Sequence, residues 1–84
     1  MKNKINVDIF VPAINETFNV MIPVNKTVGE VITLLNRAIN DITNGQFPIS
    51  NNLSLINLIT NVVYSFDHSV KLNKISNGSR LALI

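Results

Sequence analysis

The segment KISNGSRLALI, Lys74–Ile84, decides how this chain folds. Asn77-Gly78 reads as a turn, because both residue types tolerate positive φ at little steric cost. Beyond it, Leu81 and Leu83 fall on one face of a strand, with Ala82 and Ile84 on the other. A strand in this position docks into a sheet rather than fraying. The rest of the sequence must therefore supply neighbours for it.

Those neighbours begin at the other end. Ile5, Val7, Ile9 and Val11 alternate with Asn6, Asp8 and Phe10, the period of a strand with one buried face. Pro12 stops the run, and Ala13 to Glu16 provide a turn. Phe18, Val20, Ile22 and Val24 then alternate with Asn19 and Met21, so the two runs form a β-hairpin. Pro23 places this second strand at a sheet edge, where no ladder donor is required.

The period then changes. Thr27 followed by Glu30 has the form of a capping box. Val28, Val31, Ile32, Leu35, Ala38, Ile39 and Ile42 recur at three and four residues, the apolar stripe of a helix over 27–42, with Glu30, Asn36, Arg37 and Asn40 off the stripe. Asn44-Gly45 ends the helix and Pro48 prevents its resumption. Residues 47–52 read as a loop. Leu53 to Thr60 is apolar at both alternation phases, so the pattern leaves open which face is buried. Thr60-Asn61 turns into a short strand over 62–66. Asp67 to Asn73 is a loop with Val70 and Leu72 tucked beneath it.

Composition limits the function classes. The 84 residues predict a single domain spanning the chain, and the absence of cysteine removes disulfide and thiolate-metal chemistry. With 46% apolar and 14% charged residues the chain is no disordered tail. The net charge of +2 comes from scattered basic residues, without the basic face or stacking aromatics of a nucleic-acid binder. No run approaches the roughly 20 apolar residues that span a bilayer, and Asn6 and Asp8 interrupt any signal-peptide core, so a cytoplasmic location without membrane insertion is expected.

No catalytic, cofactor or metal site is expected. His68 is the only histidine. Neighbours in a strand point apart, so Ser65, Asp67 and His68 make no triad, and one histidine without cysteine cannot assemble a metal site. The carboxylates are scattered and the three glycines form no phosphate-binding run. Gly29, odd in a first helical turn, implies a segment packed tightly against it.

Hairpin, helix, strand, short strand, loop and final strand follow one another in the order of the ubiquitin-like β-grasp. This is an α+β fold in which a mixed sheet of about four to five strands packs on one helix. The last strand lies parallel to the first in mid-sheet. Within that superfamily the chain resembles the YukD/EsaB-like proteins of bacterial type VII secretion systems. The matching residues are Ile59-Thr60-Asn61, Val63, Val70, and Ile75 through Asn77-Gly78 to Arg80-Leu81 and Leu83-Ile84. The resemblance implies an accessory component acting on the cytoplasmic part of a membrane-embedded protein, such as its ATPase. A stand-alone β-grasp binding protein or a regulatory homodimer is the alternative. Conjugation and sulfur transfer need a flexible Gly-Gly tail, whereas here the carboxylate belongs to Ile84 on a docked strand, so neither activity is expected. The expected function is binding. The face opposite the helix should carry Phe10, Met21, Ala82 and Ile84, joined by one phase of residues 53–59, as a protein-interaction surface.

Overall fold

The first strand, β1 (Lys4–Val11), buries Val7, Ile9 and Val11 and exposes its other phase in part. The computed structural model describes residues 3–84, so Lys2, one of the basic residues, lies outside it. Pro12–Ile14 form a single 3₁₀ turn, and Asn15 adopts φ 52°, the left-handed conformation that reverses the chain. β2 (Glu16–Pro23) returns antiparallel along the whole of β1, from Lys4 opposite Pro23 to Val11 opposite Glu16.

The helix α1 (Val28–Ile42) starts as its capping box requires. Thr27 Oγ1 accepts from Glu30 N–H at 3.1 Å, and a Glu30 carboxylate oxygen accepts from Thr27 N–H at 3.0 Å. Two further free amides of the first turn are satisfied from the 66–68 loop: Val28 N–H donates to His68 O and Gly29 N–H to Phe66 O. A β-carbon on Gly29 would lie 3.2 Å from Phe66 O and from its ring. The close approach expected at Gly29 is that of Phe66. At the other end Asn44 and Gly45 both take positive φ, and Gly45 N–H donates to Asn40 O.

The buried arc of α1 differs from the stripe read in the sequence. Val28, Val31, Ile32, Leu35 and Ile39 are buried, but so is Asn36, whereas Ala38 and Ile42 are exposed. The cause is the loop after the helix, which folds back along the Asn36 flank. Asn36 donates to Pro48 O (3.1 Å) and accepts from Ser50 N–H (2.8 Å), while Asn40 donates to Phe47 O (2.9 Å). Phe47 is thereby driven into the core. Cover on that flank leaves the Ala38 flank open.

β3 is only Leu55–Asn57, and β4 (Arg80–Leu83) closes the sheet. Among the described residues the strand order is β2-β1-β4-β3, with β4 parallel to β1 and antiparallel to β3. The helix covers one face, where its apolar residues cluster with Val7, Ile9, Ile22, Leu55, Leu81 and Leu83. The turn before β4 is shared work: Gly78 has φ 86°, while the Asn77 side chain accepts from Asn6 N–H at 2.8 Å. Val62 to Phe66 is not a strand. It contributes one bridge, Val63 to Ile56, because the turn at Asn61 (φ 60°) brings only that short stretch alongside β3. Val70 is buried as expected, but Leu72 is exposed.

Candidate protein-interaction surface

Register assigns every side chain of the uncovered face. Directly opposed residues of neighbouring strands point to the same side. Thr17, Phe10, Ala82, Ile56 and Val63 thus form one row across the sheet. Asn19, Asp8 and Arg80 form the next row, and Met21 pairs with Asn6 in a third.

These rows divide the face into two chemically different halves. Asn6 and Asn19 exchange side-chain amide hydrogen bonds at 2.8 Å in both directions, and Asn19 donates its second proton to Asp8 Oδ1 at 2.9 Å. Here Asn6, Asn19 and Asp8 bond to one another, while Arg80 at the end of the second row is exposed. The other half is apolar: Phe10 and Ile56 are half-buried, while Leu58, Val63 and Ile84 are exposed. A shallow depression bounded by Asp8, Phe10, Thr17, Leu58 and Arg80 marks the border.

The four residues expected on this surface are not equivalent. Phe10 and Ile84 belong to the apolar half, with Ile84 54% exposed and its backbone paired to Ser54. Met21 is 57% exposed but stands beyond the Asn19–Asp8 row, at the far end of the amide half. Ala82 is on the expected face yet only 1% exposed, because Phe10 and Ile56 flank it on either side and overtop its single methyl group. It forms the floor of the apolar half. The open phase of residues 53–59 is now resolved: Leu55 enters the core, and Ile56 and Leu58 face outward. Val63 joins them only through its bridge, a contact that local periodicity does not signal.

Elsewhere the chemistry is sparse. Asp67 and His68 lie in an exposed loop whose structural role is carried by its carbonyls. No three His, Asp or Glu side chains converge among the described residues, nor is any helix there long and apolar enough to cross a membrane. A groove beside the start of α1 is lined by Gly29, Ile32, Thr33, Leu53, Phe66 and Asp67.

No protein-family model matches the chain, and none of the curated proteins does. Solved structures do. The EccD5 ubiquitin-like domain from Mycobacterium xenopi superposes with a TM-score of 0.78 at 16% identity, over 99% of this chain and 94% of that one. A chain of the MycP5-free ESX-5 inner membrane complex gives 0.80 at 15% identity over 99% of this chain, which spans 21% of that larger protein. The N-terminal ubiquitin-like domain of the 4931431F19Rik protein gives 0.71 at 15% identity, over 100% of this chain and 76% of that one. Identities this low speak to architecture alone. The chain has the ubiquitin-like β-grasp fold.

Proposed function

We propose that this chain is a ubiquitin-like protein-interaction module of a bacterial type VII secretion system, YukD/EsaB-like, acting in the cytoplasm. Its partner is the cytoplasmic part of a membrane-embedded secretion component, such as the ATPase. The observation that carries the binding role is the contiguous apolar row of Phe10, Ala82, Ile56 and Val63 on the face that α1 leaves uncovered. Water alone would favour polar residues there, as the adjoining amide half illustrates. A contiguous apolar patch on an otherwise polar face is the usual mark of an interface. The secretion assignment is supported by the likeness to the EccD5 domain and to the ESX-5 inner membrane complex chain.

Phe10 anchors the contact. It is the one aromatic residue of the row, half-buried at the end where the row meets β2, and flanked by the small residues Thr17 and Ala82. The test is a titration against the partner's cytoplasmic domain, with circular dichroism as the control for folding. Phe10→Ser should weaken binding at least about tenfold, or ~1.4 kcal/mol. Unchanged affinity for that variant would remove the site from this face.

A further inference from the structure

The sheet treats its two edges differently. β3 turns Leu55 O and Asn57 N–H away from β4, and the chain covers both itself. Asn57 N–H donates to Val62 O at 2.9 Å, and Leu55 O accepts from Tyr64 N–H at 3.0 Å. β2 has no such cover. Val24 N–H donates to Asn3 O at 2.9 Å, one step beyond the Lys4–Pro23 pair. Hydrogen-bonded pairs alternate along an antiparallel ladder, so Glu16, Phe18, Val20 and Ile22 aim their backbone groups at β1. The opposite side of β1 agrees: Asp8 N–H donates to Ser79 O and Asn6 O accepts from Gly78 N–H, both towards β4. Thr17, Asn19 and Met21 therefore direct N–H and C=O outward, and all three residues are exposed. Among the described residues nothing bonds those groups. Pro23 shares their phase, where it has no donor to lose.

Exposed edges are ordinarily blunted by charge, proline, a bulge or shortness, and the one proline of β2, Pro23, stands at its very end, beyond the outward donors. β2 has eight residues in unbroken register with β1, and its one charged residue, Glu16, sits at its end. We propose that β2 is a self-pairing edge, to which a second copy of this chain adds antiparallel through its own β2, with the two-fold axis at Asn19. The outward donors are symmetric about that residue. Pairing there sets Thr17 against Met21 and Asn19 against Asn19, using every outward donor in about six hydrogen bonds. The same register places Phe18 of one copy against Val20 of the other, and both are half-buried in the single chain.

Charge permits this arrangement. Glu16 faces Ile22 of the second copy, so no like charges are opposed across the junction. The Asn19 side chains are held back over their own sheets by Asn6 and Asp8. Strand pairing of this length covers less than the roughly 1,600 Å² of a stable interface, so the dimer is a weak one that dissociates on dilution. The two sheets become continuous, and both Phe10 rows stay uncovered.

Amide exchange of the intact chain, followed by NMR from micromolar to millimolar concentration alongside sedimentation, tests the proposal. The expected result is a concentration-dependent gain of about tenfold or more in protection at Thr17, Asn19 and Met21, with Phe18 and Val20 protected throughout. Met21→Pro deletes one outward donor on the phase that Pro23 already occupies, and should abolish the dimer without changing the circular dichroism spectrum. A chain that stays monomeric at millimolar concentration overturns the proposal, leaving the edge for an extended segment of another protein. So does a dimer in which those three amides exchange freely, which would pair through another surface. Both outcomes are read from the wild-type chain, whatever the folding of the variant.

Discussion

Leu81 and Ala82 are adjacent in β4 and almost equally buried, at 0% and 1% exposure, but on opposite faces of the sheet. Leu81 is enclosed in the cluster formed with α1. Ala82 lies between its cross-strand neighbours Phe10 and Ile56, on the face that α1 leaves uncovered. Burial on the first face stabilises the fold, because removing a packed side chain leaves a cavity that the helix and sheet cannot close. Burial on the second face shapes a surface: a small residue between two large ones makes a floor on which a partner's side chain can rest. One strand thus serves stability with one phase and, on the proposed function, recognition with the other.

The largest effect should come from the inner face. Leu81→Ala is expected to cost about 2–5 kcal/mol in denaturant unfolding, a substantial part of a small domain's stability. A loss below about 1 kcal/mol would mean that the inner face is not packed as described. Phe10→Ser sits next in size. Its binding loss of about tenfold should be accompanied by a stability loss of only ~1 kcal/mol, while Met21→Ser, on the amide half, should leave affinity within about twofold. Equal losses for the two variants would erase the division of the outer face.

Smaller effects test how α1 is held over the inner face. Thr27→Ala removes the cap and should cost about 1 kcal/mol. The Glu30 carboxyl is held below its usual range, first by Thr27 N–H, then by the Thr27 hydroxyl, with Lys26 adding a lesser attraction. A pKa lower in the folded than in the unfolded chain contributes stability that is complete above the ordinary glutamate range. It fades as pH falls through the lowered value. The unfolding midpoint should therefore drop on acidification, and the drop should shrink in Glu30→Gln. Least of all, Arg37→Ala, exposed on α1, should change stability by no more than about 0.5 kcal/mol and leave partner affinity unchanged.

Much of the inner face was legible because periodicity is a property of each segment alone. The alternation of β1, the Thr27–Glu30 cap and the Leu81/Leu83 phase each report a face that must be buried. The order of elements then leaves β4 a place only in mid-sheet, beside β1. What was not legible depends on contacts between segments. Asn36 looks like a surface residue until the loop at 48–50 returns to meet both ends of its amide. Residues 53–59 are apolar in both phases, so only pairing with β4 distinguishes Leu55 from Ile56. Ala82 faces outward as its phase requires, but its burial is decided by the size of Phe10 and Ile56. Met21 shares that phase with Phe10, yet the Asn19–Asp8 link between them comes from register.

The division of the outer face is tested most directly by a chemical-shift footprint. The isotope-labelled chain would be titrated with the cytoplasmic domain of the proposed partner, a type VII secretion ATPase, and its backbone amides followed one by one. The expected perturbations gather at Phe10, Ile56, Leu58, Val63 and Ile84, with Asn6, Asn19 and the exposed side of α1 unmoved. Perturbations centred on α1 or on the Asn6–Asn19 pair, or none at saturating partner, would contradict that division.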